Sequence, residues 1–338
     1  MTEEGTTNPE DFIRSIGKKT SKMLFDTLLS KAESGDPDSM YMLGIAYGAG
    51  QGVERSLKDA AEWIGKAAEL GHPRAQYMMG VLHIEGEGVP RSMDDAFRWL
   101  MSAAEQGVPE AQHDVGVCYA TGQGVEQSME SAVGWVRKAA EQGDIKSQMR
   151  MANCYFHGEG VERSYEMANV WYRRAAEQGD AKAQCILGYN YDIGRGVERS
   201  EEESIKWYTM AAEQGDMDAQ YNLAIHYSTK DVTDEYMPEA AKWYERLAER
   251  GDVEAQYTIG SYYYDGTGGE LSFEKAVKWL SKAAKRGHPT AQFLLANCYM
   301  NGWGTDKCKD TAMELYRLSA ENGNPRAKRM LDDIEGSE

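Results

Sequence analysis

Basic charge, long apolar runs and paired cysteines are all scarce in this chain, and each scarcity excludes something. Lys and Arg number 37 against 55 Asp and Glu, a formal net charge of −18. A phosphate backbone calls for a basic face, so no nucleic-acid partner is expected. The longest apolar runs are only a few residues, too short to span a bilayer. The opening residues, MTEEGTTNPEDF, lack both the basic patch and the apolar stretch of a secretory leader. A cytoplasmic location is therefore expected. The five cysteines, Cys118, Cys154, Cys185, Cys298 and Cys308, are odd in number and do not form a disulfide framework. Reduced thiols fit them better. The pair Cys298 and Cys308 stays open, because nothing in their spacing forbids a meeting. The acidity is uneven: residues 215–250 carry a net −4, while 143–178 and 251–286 are neutral. Solubility is the plainest account of this excess.

What the chain has in abundance is glycine in register. Gly35, Gly71, Gly107, Gly143, Gly179, Gly215, Gly251, Gly287 and Gly323 stand 36 residues apart without insertion or deletion. A fixed period of that size is the signature of a stacked array, in which each unit contacts only its neighbours. Numbering each glycine as place 1 divides the chain into residues 1–34, eight repeats over 35–322, and a half-repeat over 323–338.

Each repeat predicts two helices. The first, over places 3 to 15, has Ala or Ser at place 5, an aliphatic residue or Met at 9 and Gly or Ala at 10. Tyr fills place 13 in seven of the eight, with His83 as the exception. These positions share one side of a helix, and the small residues allow another helix to approach closely. The second helix carries Ala, Trp, an aliphatic residue or Tyr, and Ala-Ala at places 26, 29, 30, 33 and 34. Trp fills place 29 in seven repeats and Leu315 in the eighth. A tryptophan row could be a ligand platform, but recurrence beside Ala-Ala makes it core.

The joint between helices reads G-x-G-V-x-x-S in the first five repeats, as in Gly194–Ser200. Glycine permits the left-handed backbone that ends one helix, and serine caps the next. An acid follows three residues on in Ser56/Asp59, Ser92/Asp95 and Ser200/Glu203. The sixth joint is altered over residues 228–236, and the eighth carries Trp303 and Cys308. Such loop positions are where a specific contact could sit. At the N-terminus residues 1–8 are polar and expected to be disordered, and Asn8-Pro9 reads as a helix start. The helix to about Ser34 and the half-repeat after Gly323 are expected to cap the exposed ends of the core.

The pattern A-Q-x-x-L-G-x-x-Y (Ala183, Gln184, Leu187, Gly188, Tyr191), the G-x-G-V turn, A-x-x-W and A-A-E-x-G together resemble the Sel1-like repeat (SLR) family, a relative of the tetratricopeptide repeat. The resemblance covers roughly Gly35 to Leu331. It implies an all-α, right-handed α-solenoid whose first helices line a concave groove. Members act as adaptors in protein quality control, signalling and bacterial host interaction. Secreted members often carry a disulfide in each repeat, from near place 7 to the end of the second helix. Here only Cys185 occupies place 7, facing an Ala-Ala pair. That departure argues against an oxidising location.

Some members resemble penicillin-interacting proteins, which need a serine–lysine site. S-x-x-K occurs at Ser15/Lys18 and Ser272/Lys275, without the S-D-N or K-T-G companions. Cys154, His157 and Cys118 fall short of three convergent zinc ligands. Gly17-Lys18-Lys19-Thr20 resembles the end of a P-loop but lacks its first glycine. No cofactor and no metal are expected.

What remains is the groove. If first helices pack as in the tetratricopeptide fold, places 4, 7, 11, 14 and 15 face it. The candidate binding residues are Tyr41, Tyr77, His113, Asn153, Tyr189, Tyr221, Tyr257, Phe293 and Asn297. They form an aromatic ladder set with amides, suited to a protein or peptide segment bearing basic or apolar residues. The expected function is a non-catalytic adaptor or scaffold. The competing classes are an acyl-transfer or peptidoglycan-related hydrolase and a spacer without a specific ligand.

Overall fold

The computed structural model describes residues 9–229 and 236–335, the side chains of 9–20 and 335 excepted. The Asn8 cap, Ser15/Lys18, the P-loop look-alike and the centre of the altered sixth joint lie outside the described residues or side chains. Among the described residues there are eighteen α-helices and no strand. After a 25-residue helix, Pro9–Glu33, come sixteen helices of 13 residues and a last one, Pro325–Glu335. The helices divide into two compact units, Met1–Gln178 and Gly179–Glu338. Within each unit, the two helices of a repeat pack together, and each second helix packs on the first helix that follows it. This is the nearest-neighbour architecture of an α-solenoid.

The helix ends follow from the residues that bound them. Asp36, Asp144, Asp180 and Asp252 each accept the N–H of place 5 in their side chains. His72 and His288 do the same through Nδ1. Ser56, Ser92, Ser128, Ser164, Ser200 and Ser272 cap the second helices. Cys308 stands at the eighth cap without making that bond.

The two glycines of a joint have different reasons. Gly86 ends its helix at φ +75°, in the left-handed region. A Cβ on Gly88 would land on the Leu57 carbonyl and the Ala61 methyl of the preceding repeat's second helix. The second glycine is therefore a seat for the neighbouring repeat.

The cores are alanine-rich stripes filled by large residues, as where Trp207 and Tyr208 are buried beside Ala211 and Ala212. Trp171, Trp207, Trp243 and Trp279 are buried, while Trp63, Trp99 and Trp135 are half-buried. A cation from the next turn covers the outer ring face: Lys66 lies 4.2 Å from the Trp63 ring centre, Lys138 3.6 Å from Trp135 and Lys282 4.0 Å from Trp279. The tryptophan row is structural. At the ends, Phe25 and Ala32 are buried with Met40 and Leu43, and Ala327 with Phe293 and Tyr316.

A second ladder, unread in the sequence, ties the repeats together. Glutamine at place 6 is buried and donates to the place-34 carbonyl of the preceding repeat, as in Gln76 to Ala68 at 3.2 Å and Gln112 to Ala104 at 3.1 Å. Its Oε1 accepts from glutamine at place 36 of its own repeat: Gln106 to Gln76 at 2.7 Å, and Gln142 to Gln112 and Gln178 to Gln148 both at 2.8 Å. Gln214 to Gln184, at 2.8 Å, repeats it in the second unit. Each place-6 amide thus gives a second donor to a helix C-terminal carbonyl that also accepts the N–H of the glycine after the helix, as Ala68 does from Gly71.

Candidate functional site

The place-7 residues sit where one repeat meets the next, and the neighbour decides how much of each remains exposed. Tyr41 stacks on His72, with ring centres 4.9 Å apart, and Tyr257 stacks on His288 at 4.3 Å. In both, the histidine's Nε2 meets an acid on the tyrosine's own helix: Asp38 at 3.1 Å and Glu254 at 3.3 Å. His113 Nδ1 lies 2.8 Å from Ser147 Oγ of the following repeat. Tyr77 is held by Asp114, and burial, with that carboxylate, pushes its hydroxyl pKa up to about 12. Burial also raises the Asp114 carboxyl above the ordinary range. Phe293 is 8 % exposed and packs against Tyr316. Tyr221, by contrast, is 42 % exposed.

The place-11 residues divide similarly. Asn153 Oδ1 accepts from the Tyr172 hydroxyl at 2.6 Å, and Asn297 Oδ1 from Tyr316 at 2.6 Å, both within one repeat. Asn297 also donates to Tyr264 at 3.4 Å. These carbonyls hold first and second helices together. Tyr189 is 43 % exposed, with Arg195 over its ring at 5.5 Å, and Val117 and Ile225 are exposed as well.

In the first unit, then, Tyr41, Tyr77, His113 and Asn153 are all engaged by neighbours. In the second, Tyr189 and Tyr221 stand open, while Tyr257, Phe293 and Asn297 are engaged.

The structure adds a set of positions that the repeat pattern did not single out. Three clefts occupy one location, between the second helix near places 23 and 30 and the next first helix near places 8 and 12. The N-terminal helix and repeat 1 enclose about 80 Å³ between Leu24, Phe25, Leu28, Met42, Ile45 and Ala46. Repeats 3 and 4 enclose about 310 Å³ with mostly apolar walls. Repeats 5 and 6 enclose about 560 Å³, bounded by Asp192, Arg199, Glu201, Tyr208, Asn222 and His226. His226 Nε2 lies 3.1 Å from Glu201, and burial lowers its pKa. Side chains at places 8, 12, 23 and 30 thus give each joint its own chemistry.

Of the serine–lysine candidates, Ser272/Lys275 has described side chains. Ser272 Oγ accepts the Lys275 N–H as a helix cap, while Lys275 Nζ reaches Glu270 at 2.6 Å. All five cysteines are free thiols, Cys298 and Cys308 included. Burial pushes Cys118 and Cys298 up to about 11 and Cys185 up to about 12. Cys154 is buried and His157 exposed. Among the described residues no three His, Cys, Asp or Glu side chains gather as a metal ion requires.

Stacked helix pairs, glycine seats between repeats and joint clefts define an α-solenoid repeat protein. The Sel1 repeat model matches eight consecutive segments, 37–72, 73–108, 109–144, 145–180, 181–216, 218–252, 253–288 and 289–324, and the chain belongs to this family. Among solved structures it is similar to c5321, a protective antigen present in uropathogenic Escherichia coli strains. Identity there is 37 %, over 92 % of this chain and 67 % of that one, with a TM-score of 0.76. It is also similar to a Sel1 repeat protein from Oxalobacter formigenes, at 30 % identity over 99 % of this chain and 98 % of that one, with a TM-score of 0.62. A search among curated proteins found no significant match. No helix among the described residues is long and apolar enough to cross a membrane.

Proposed function

We propose that the chain is a non-catalytic scaffold that holds a segment of another protein along the faces carrying places 7 and 11. Sel1 repeat proteins generally serve as protein-interaction scaffolds. The observation that carries the reading here is the open run of Tyr189, Tyr221 and Ile225 on the first helices of repeats 5 and 6. Aromatic side chains left exposed on a rigid scaffold are the anchors that dominate binding energy once a partner covers them. The net −4 of residues 215–250 favours a segment with basic residues beside its apolar ones. The absence of disulfides among the five cysteines supports a reducing compartment such as the cytoplasm.

The test is capture of partner proteins by the full chain and by a Tyr189→Ala/Tyr221→Ala variant, with bound segments mapped by cross-linking. Both side chains are exposed, so melting temperature and helical signal should not change, while partner affinity should fall by about tenfold or more. Undiminished capture by the variant would overturn the reading.

A further inference from the structure

The cleft between repeats 3 and 4 is formed where the chain has its smallest place-30 residue. Tyr172, Tyr208, Tyr244 and Tyr316 fill that place in four repeats, and Ile64, Leu100 and Leu280 in three; repeat 3 has Val136. In repeats 4 and 8 the tyrosine reaches across its own repeat to Asn153 or Asn297 at place 11. Repeat 3 has Val117 there, and Val117 and Val136 both line the cleft. The cavity therefore lies between the two residues that correspond to the ends of the tyrosine–asparagine bond. Met129, Ala132 and Val133 complete its apolar walls. At about 310 Å³ it has room for a phenyl ring.

No carboxylate stands among the side chains that line it, although Glu159 pairs with Arg150 beside it. In a chain of net charge −18, the ionisable side chains at this cleft are His113, Arg150 and the buried thiol of Cys154. Arg150 holds Glu159 at 3.2 Å through Nη2 and is itself partly exposed. A guanidinium presents five N–H donors and can serve more than one carboxylate. His113 is partnered by Ser147 and lies 3.9 Å from Asp144. An occupant that fits both features is an aromatic ring with a carboxylate close by.

We propose that this cleft is an anchor pocket for a partner polypeptide: it takes a phenylalanine side chain, and Arg150 pairs with an acidic residue next to that phenylalanine. The proposal rests on the scaffold reading above and adds a specific recognition point to it. Val117, 41 % exposed, stands at the mouth. Entry of the ring covers it together with the cavity wall, a desolvated apolar contact of the kind that anchors peptide segments.

The experiment titrates the full chain with a capped tetrapeptide, acetyl-Ser-Phe-Asp-Ser-amide, reading the labelled methyl resonance of Met129. Two control peptides carry Ala for Phe or Asn for Asp. The Phe-Asp peptide should shift the Met129 signal, and each control should bind at least about fivefold more weakly. Val136→Phe fills the cavity from within. It should melt close to wild type, since four other repeats hold a tyrosine there, and should weaken the peptide by about tenfold or more. Should Val136→Phe fail to fold, Val117→Glu at the exposed mouth decides instead and should weaken binding similarly. Arg150→Gln should erase the preference for Asp over Asn while leaving that for Phe over Ala. Undiminished binding to the folded filled variant, or to Val117→Glu, overturns the proposal, as does a Met129 signal that never moves. If the Tyr189/Tyr221 variant loses captured partners while Val136→Phe keeps them, the pocket falls and the scaffold reading stands. If partners are kept by the tyrosine variant and lost by Val136→Phe, the pocket stands and the open tyrosines are not the anchors.

Discussion

Gln142 donates to Oε1 of Gln112 at 2.8 Å and to the Gly107 carbonyl at 3.1 Å, so one amide closes both ends of its repeat. In repeats 6 and 7 the same place holds Arg250 and Arg286. They reach the Gly215 and Gly251 carbonyls but leave Oε1 of the buried Gln220 and Gln256 without a partner. A buried acceptor left unpaired costs more than an ordinary hydrogen bond contributes. Arg250→Gln and Arg286→Gln should therefore each stabilise the protein by about 1 kcal/mol. Urea unfolding checks this, and a loss of stability in both would refute the ladder as a source of cohesion.

Two glycines of similar backbone conformation should respond differently to alanine. Gly71 and Gly88 have φ of +86° and +72°, but a Cβ on Gly71 meets nothing within 4 Å while one on Gly88 strikes backbone and the Ala61 methyl. Gly71→Ala carries only the left-handed penalty, about 1–2 kcal/mol. Gly88→Ala adds a displaced neighbouring repeat and should cost about 3 kcal/mol or more. Equal melting temperatures for the two would show that the repeats do not seat on the second glycine.

Thiol chemistry should single out one cysteine. The hydrogen bond with the Thr311 hydroxyl, at 3.1 Å, lowers the Cys308 pKa, whereas burial raises those of Cys118, Cys154, Cys185 and Cys298. The thiolate is the reactive form, so near pH 7 iodoacetamide should label Cys308 first. The other four should follow only as the chain unfolds. Peptide mapping after a short pulse measures the order.

Asp114 should make stability depend on pH against the usual trend for acids. Burial raises its folded pKa, so the native state holds that proton more tightly than the unfolded chain does. The contribution is fully present below the unfolded carboxyl value and is lost as pH rises through the folded one. Asp114→Asn keeps an acceptor for Tyr77 without the buried charge. It should raise the unfolding midpoint at pH 7 and lose that advantage in acid. Denaturant midpoints at several pH values test it, and a variant equally stabilised throughout would assign the effect to packing.

Spacing alone puts Tyr189 and Tyr221 on the candidate face, and both side chains are exposed. Tyr41 and Tyr257 share place 7 with Tyr221, yet each lies stacked on a histidine from the next repeat. Periodicity places a side chain on a helix face but does not say what the neighbouring repeat presents to it. Spacing likewise offers the amides of Asn153 and Asn297 to a peptide backbone, whereas a tyrosine on the second helix of the same repeat donates to each carbonyl.

The sequence alone determined the repeat, the helix pairs, the serine caps of the second helices and the structural rank of the tryptophans. Those features depend on contacts that recur every 36 residues, and recurrence is visible in one dimension. Only the tertiary structure decided which place-7 and place-11 residues remain exposed. It alone paired the glutamines at the two ends of a repeat and opened clefts between places 23 and 30 of one helix and 8 and 12 of the next. These depend on the differences between repeats meeting across a joint, where one valine in place of a larger residue helps to leave a cavity. A pattern of identities cannot report such a meeting, because the two partners lie in different repeats and neither belongs to the shared motif.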